Sequence, residues 1–526
     1  MKYYLSFDCG TQSTKSAIYD GDFNCICQHS YPNEIKYPNP GWAEMDADMY
    51  LNHVVNGIKY CVEKSGINPN DIRAICGDGI IMGVVGVDED GNAITPYIPY
   101  LDSRASEEAE YVKTLDPIWI EESGNSVIEC LQPPIISMWL IKNNEEFKNR
   151  GAKILNNGPY VLSRLAGLKA DEAFIDHATL GGWIIGYEAE KKKWSERQME
   201  MLGIPMKYLP KIVKPTDIVG KLTAEMADRC GLVEGIPIIA GAGDTMQSFV
   251  GCGVYDHGTA SDVAGTAAMF GIMVDGIHKE LSENSGLYFS IATVPDTYFY
   301  WGYIRTGGLS LQWFRDQVMN RKGEDEFYQM ANEKAEKVPV GSNGTLFFPY
   351  LQGGQGFVSN ASGCFLNMTS NTELGEMWRS ILESIGYEYM TLVKKIREAG
   401  VEVKEAVITE GGSRSDVWNQ IKADMLDIDV RTMKKKEGAT MSNAVLAAYA
   451  IGDIEDMKAK LDEILVPDKE FKPVPEHTEF YGITYDYYMN ILKEHMSLAF
   501  KSCYDLRNVK CKKSGECNKE NQGDAK

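Results

Sequence analysis

The sequence predicts an α/β protein of two large domains, and three observations carry that prediction. At 526 residues the chain is too long for one compact core, since domains run to roughly 100–200 residues each. Helical patterns and short apolar strands alternate from the N-terminus to about residue 255. Near residue 259 the strand-rich pattern with which the chain opens begins again.

The opening elements read as a meander. Tyr3 to Phe7 is a β-rich run, Asp8-Cys9-Gly10-Thr11-Gln12-Ser13-Thr14 a turn, and Lys15 to Tyr19 a second strand. Asp20-Gly21-Asp22 turns the chain into a third strand, Phe23 to Tyr31. Ala47 to Lys64 has helical spacing, with Tyr50, Val54, Ile58 and Cys61 on one face. Ile72 to Cys76 and Val84 to Val87 are short strands, and Asp88-Glu89-Asp90-Gly91 is a hairpin turn. In the second half, Thr259 to Val263 and Ala267 to Val274 flank the turn Ala264-Gly265-Thr266. Asp8-Cys-Gly10-Thr11 and Asp262-Val-Ala-Gly265-Thr266 each lead an acidic residue into a Gly-Thr turn, a weak internal repeat. The domains are therefore expected at 1–255 and 256–500. The last helix candidate is Asp486 to Phe500; residues 501–526 hold one Val and one Leu and read as a flexible polar tail.

Composition narrows the function. A net charge of −22 repels nucleic acid and anionic lipid, so neither is an expected partner. A phosphate ligand remains open, because backbone N–H groups bind phosphate without net positive charge. Twelve cysteines lie scattered, with one C-x-C at Cys25 and Cys27 and no C-x-x-C, as in a reduced, cytoplasmic protein. The start reaches Asp8 too soon for a signal peptide, and the best apolar stretch, Val263 to Val274, is too short to span a membrane. There is no G-x-x-x-x-G-K-[ST], no G-x-G-x-x-G after the first strand, no H-E-x-x-H and no G-x-S-x-G. These absences speak against a P-loop enzyme, a Rossmann dehydrogenase, a zinc protease and a serine hydrolase.

Three segments can carry chemistry. The hairpin Asp8 to Lys15 aims N–H and O–H groups at phosphate oxygens, with an aspartate that can hold Mg²⁺ through water; it also fits an ordinary polar hairpin. Ala240-Gly241-Ala242-Gly243-Asp244 follows the apolar strand Ile236 to Ile239 and places a carboxylate among glycines at a helix start. Asp244 fits a general base for a hydroxyl, or a helix cap. Glu410-Gly411-Gly412-Ser413-Arg414-Ser415-Asp416 joins the strand Ala406 to Ile408 to a helix ending at Leu426, where glycines let a purine or its phosphates approach, or simply make a tight turn.

Together these segments resemble the FGGY carbohydrate kinase family over residues 3 to about 495, in family order. Asp8 to Lys15 resembles the first phosphate loop, and Pro40-Gly-Trp42-Ala-Glu-Met-Asp46 the PGWAEQDP stretch of xylulokinase-like members. Tyr100-Leu-Asp102-Ser-Arg104 resembles W-x-D-x-R, and Gly243-Asp244-Thr-Met-Gln247 the G-D-x-x-Q around the base. Gly265-Thr266 resembles the second phosphate loop, Pro349-Tyr-Leu351 through Gly363-Cys-Phe365 resembles P-Y-L-x-G-E-R…G-x-F, and Gly411 to Ser415 resembles G-G-G-A-x-S. Glu437-Gly to Ala447-Ala resembles the helix E…ALGAALLA.

The resemblance implies two actin-like (ribonuclease H-like) domains with a cleft between them, and ATP and Mg²⁺ as cofactors. It implies Asp244 as the base, and Asp8 as the second catalytic carboxylate, near the metal. Gly10, Thr11, Gln12, Thr14, Gly265, Thr266, Gly308, Gln312, Gly412 and Asp416 would face the nucleotide. Ile81, Met82, Asp102, Arg104 and Asp244 would face the sugar. The partner would be a small sugar or polyol, a ketopentose such as xylulose being the first candidate; the assembly state stays open, a homodimer included.

The departures fall on the sugar side. Asp78-Gly79-Ile80-Ile81-Met82-Gly83-Val84 stands where xylulokinases carry S-G-Q-M-H-G-V, so a polar Gln and a His become Ile80 and Met82. A hydroxyl set against Met82 loses a hydrogen bond worth about 0.5–1.5 kcal/mol. The Trp of W-x-D-x-R is Tyr100, and G-E-R is Gly353-Gly354-Gln355. A non-catalytic ATP- or sugar-binding sensor of the same fold is the alternative function; the presence of both Asp8 and Asp244 favours a kinase.

Overall fold

A computed structural model describes residues 1–354, 358, 360–434, 438–507 and 509. The chain opens with β1 (Tyr3–Cys9), β2 (Ser13–Asp20) and β3 (Cys25–Pro32), joined as an antiparallel meander. β3 alternates half-buried and exposed residues, as an outer strand with one covered face does. Its inner face is covered by α1 (Ala47–Ser65). The Asp46 side chain caps α1 by accepting the Asp48 N–H, and Gly66 closes it in the left-handed conformation. Tyr50, Val54, Ile58 and Cys61 are all buried on one face, as their spacing predicts.

β4 (Ile72–Gly79) lies parallel to β1, and Pro237–Gly243 lies parallel to β4. The complete order is Ile218–Lys221, Pro237–Gly243, β4, β1, β2, β3. β4 runs three residues past the predicted Cys76. The Gly-Asp-Gly ending does not look like a strand by composition, but β1 and Pro237–Gly243 pair with it up to Gly79 on both sides.

The second sheet repeats the plan. Thr259–Ala264 pairs antiparallel with Ala268–Val274, which pairs antiparallel with Tyr298–Ile304. Glu405–Thr409 lies parallel to Thr259–Ala264, Asp429–Met433 parallel to that, and Pro467–Phe471 closes the edge antiparallel. Tyr288–Ile291 is added beyond Tyr298–Ile304. The repeat legible in two hairpins thus extends through six strands of each sheet: this is a duplicated, two-domain fold of the actin-like kind.

The helix Gly438–Ala450 packs on β1, β4 and the helix Asp244–Gly251 of the first half. Just beyond it, Asp453 accepts hydrogen bonds from Lys2 Nζ (2.8 Å), Tyr4 OH (2.9 Å) and Arg73 Nε (3.1 Å). The two halves are therefore stitched together by this helix and its end.

The C-terminus departs from the expectation. Helix Pro475–Asn490 continues through a π-helical turn, Ile491–Met496, into Ser497–Arg507. The expected tail from residue 501 thus begins inside a helix. Phe500, 3% exposed, anchors that helix against Phe348 and Tyr350, whereas Lys501 to Arg507 are exposed and give no apolar periodicity to read. Cys503 sits on this helix; Cys511 and Cys517 lie outside the described residues. Among the described residues no helix is long and apolar enough to cross a membrane.

Candidate active site

Three carboxylates stand at the ends of three neighbouring strands. Asp8 is next to last in β1, Asp78 is its register partner in β4, and Asp244 follows directly on Pro237–Gly243. Registered residues of parallel strands share a face, so Asp8 and Asp78 point the same way. Their side chains interact, and one oxygen of each, Oδ1, is buried without a hydrogen-bond donor. Burial, then the charges of Asp8 and Asp244, push the Asp78 carboxyl far up. Burial also raises the Asp8 carboxyl, against the lowering effects of its hydrogen bond with Asp78 and of the Lys15 charge, so Asp78 is the member pushed further.

Asp244 is half-buried, first in its helix, with Gly243 as the cap residue. Its Oδ1 accepts the Thr245 N–H at 2.6 Å. Burial first, and the Asp8 charge second, push its carboxyl up to about 7. A base with that affinity takes a proton near neutrality, which suits general-base work.

The hairpin Asp8 to Lys15 is braced by Asn33, a residue the sequence does not single out. Asn33 Nδ2 donates to the Gly10 carbonyl at 2.7 Å, and its Oδ1 accepts Thr14 Oγ1 at 3.0 Å and His53 Nδ1 at 2.9 Å. Thr14, 1% exposed, thus spends its hydroxyl on fixing the loop's shape, while Thr11 is half-buried and Gln12 exposed. Thr11 Oγ1 donates to Tyr100 OH at 3.4 Å, which brings Tyr100 beside the loop.

In the second half, a cavity of about 780 Å³ is lined by Gly265, Thr266, Gly308, Gln312, Gly412 and Asp416, the second-half residues expected at the nucleotide. The Gly265-Thr266 turn is gripped from two sides. The Gly308 N–H donates to Gly265 O at 2.9 Å, and Leu309 N–H to Thr266 O at 3.0 Å. A side chain on Gly308 would meet Gly265 O at 2.5 Å, and one on Gly412 would meet Ala264 Cβ at 2.2 Å. Both glycines are thus required by close approach. Tyr328, Asn332 and Trp378 close the far wall, and Asp416 is held by Lys469 at 2.7 Å. Asp262, the repeat counterpart of Asp8 by sequence, is buried and paired with Lys422 and Tyr389 OH, so it serves the core beneath the loop.

The sugar-side residues divide. Ile81 and Met82 are buried, Ile81 lying against Gly243, the neighbour of Asp244. Asp102 and Arg104 close on each other instead: Arg104 Nε and Nη2 donate to Asp102 at 2.8–2.9 Å, and Ala43 N–H donates to Asp102 Oδ2 at 2.6 Å. Arg104 also reaches Glu44 at 2.9 Å, and Trp42 and Trp139 lie on its guanidinium at 3.9 and 4.9 Å. Every acceptor of Asp102 is engaged within the protein, so the pair builds the wall of the first half and offers a sugar no free carboxylate.

The fold is that of the two-domain sugar kinases. A ligand-bound xylulose kinase from Lactobacillus acidophilus superposes with a TM-score of 0.84 at 23% identity, over 96% of this chain and 100% of that one. The chain is 25% identical over 498 residues to a xylulose kinase of Staphylococcus epidermidis, covering 94% of this chain and 97% of that protein. It is also 25% identical over 482 residues to a gluconokinase of Bacillus subtilis, covering 88% and 90%. The models of the N-terminal and C-terminal domains of the FGGY family of carbohydrate kinases match residues 3–251 and 260–451. The chain belongs to the FGGY family of carbohydrate kinases.

Proposed function

We propose that this kinase transfers the γ-phosphoryl group of ATP to a hydroxyl of a small sugar, a ketopentose such as xylulose or a related sugar or polyol. The observation that carries this reading is the convergence of six expected nucleotide residues on one cavity of about 780 Å³, ample for a nucleotide. Asp244, with its carboxyl pushed up to about 7, is the general base that takes the proton of the attacking hydroxyl. Asp8 presents a buried oxygen without a donor at the mouth of the phosphate hairpin, an environment that fits a hydrated cation. Bound here, ATP with Mg²⁺ supplies the phosphoryl group and the charge neutralisation that phosphoryl transfer needs. The chain's own part is alignment: Gly10 and Thr11 on one side and Gly265 and Thr266 on the other hold phosphate oxygens, while Ile81 and Met82 exclude water beside Asp244.

Ile80 and Met82 offer an acceptor no side-chain donor. The test is an ADP-release screen of the purified protein over ketoses, aldoses, aldonates and polyols. Turnover with a ketopentose or a close relative is the expected result; silence across the panel would move the protein to the sensor reading. Gly412→Ala tests the nucleotide side. Its methyl group displaces Ala264 and the phosphate turn at an overpacking cost of about 1–3 kcal/mol. The expected result is a KM for ATP raised by about tenfold or more, with the KM for the sugar nearly unchanged.

A further inference from the structure

We infer that Asp78, Ser442 and Asn443 form a cross-domain bridge that positions the catalytic carboxylates. The inference deepens the phosphotransfer reading and rests on it. Asn443 sits on the helix Gly438–Ala450, within the part of the chain matched by the C-terminal family domain, yet all its side-chain partners lie in the first half. Its Nδ2 donates to Asp78 Oδ2 at 2.5 Å and to the Phe7 carbonyl at 3.2 Å, next to Asp8. Its Oδ1 accepts Gln247 Nε2 at 2.8 Å. Gln247 lies one turn beyond Asp244 on the same helix, and Ser442 Oγ donates to the Gln247 carbonyl at 2.7 Å. One amide thus touches the three elements that carry Asp8, Asp78 and Asp244. Asp78, Gln247 and Asn443 are each fully buried and Ser442 1% exposed, so no water competes for these bonds.

The two ends of the bridge depart together from the patterns they otherwise resemble. Asp78 stands at the Ser of S-G-Q-M-H-G-V, and Ser442-Asn443 at the Gly-Ala of ALGAALLA. The small residues of those patterns cannot make this contact. A buried carboxyl on one side has been matched by a buried amide on the other, 365 residues away. A lone Asp78 would be a buried acid without a donor, and a lone Asn443 a buried amide without an acceptor; either costs more than the absence of both.

The experiment is a double-mutant cycle on the full chain: Asp78→Ser, Asn443→Ala and the pair together, with kcat and both KM values measured on the best acceptor from the screen. Asn443→Ala is expected to lower kcat by about tenfold or more, with both KM values within about twofold, because the bonds lost orient the carboxylates and touch neither substrate. The pair is expected to fall no lower than the worse single variant, because both changes break the same bond. Asp78→Asn, which can still accept from Asn443, keeps more activity than Asp78→Ser. Additive losses in the double variant, or a lower melting temperature with unchanged kcat in Asn443→Ala, overturn the inference while an active wild type leaves the phosphotransfer reading standing. A wild type silent on every acceptor overturns that reading itself, and this inference with it.

Discussion

Asp244→Asn is expected to keep nucleotide and sugar binding and to lose kcat by about 10²–10⁴-fold, the usual contribution of a positioned base. The amide keeps the shape, and its oxygen can still accept the Thr245 N–H. Single-turnover kinetics with isothermal titration of both ligands checks it; near-wild-type turnover would remove Asp244 from the mechanism. The direction of its proton affinity adds a pH prediction. Burial and Asp8 raise the carboxyl to about 7, so in the free enzyme it is protonated below that pH and inactive as a base. The wild-type kcat/KM for the sugar therefore rises with pH up to about 7 and then levels. Stability runs the other way. A group that binds its proton more tightly folded than unfolded destabilises the native state as pH rises from the ordinary carboxylate range through about 7. Asp244→Asn removes that penalty, so the inactive variant melts higher than wild type at pH 8.

Asp8→Asn is expected to lower kcat by about 10²–10³-fold, the scale seen when one preorganised charge-stabilising group is lost. The variant should also need far more Mg²⁺ for half-maximal rate. A second signature separates this from a loss of fold. Asp8 is the neighbouring charge that helps to raise Asp244, so its removal lowers the Asp244 proton affinity, and the rise in kcat/KM moves to lower pH. An unchanged Mg²⁺ requirement together with an unmoved profile would exclude Asp8 from the site.

Much of the frame was legible in residues close together along the chain. The meander, α1 and the hairpin at Gly265-Thr266 carry local signals: turn residues, an apolar stripe, a repeated Gly-Thr turn. The strand–glycine–helix junctions at Asp244 and Gly412 read equally well, because a loop that must approach another closely declares itself by its glycines. Other features are not decided by their near neighbours in the chain. Asp102 and Arg104, two residues apart, look like polar groups presented to a sugar. Which way they turn is decided by Trp42, Trp139, Glu44 and the Ala43 N–H, brought in from elsewhere in the chain, and these close the pair on itself.

The sequence by itself determined the fold class, through local turn chemistry and spacing, and its resemblance to the family singled out Asp8, Asp244 and the order of the candidate phosphate and nucleotide loops. Only the tertiary structure decided that Asp78 joins them, that Asn33 braces the first loop, and that Asn443 reaches across from the second half. Those roles come from sheet register and helix docking, which set groups up to 436 residues apart within hydrogen-bonding distance, and no local pattern encodes such a meeting.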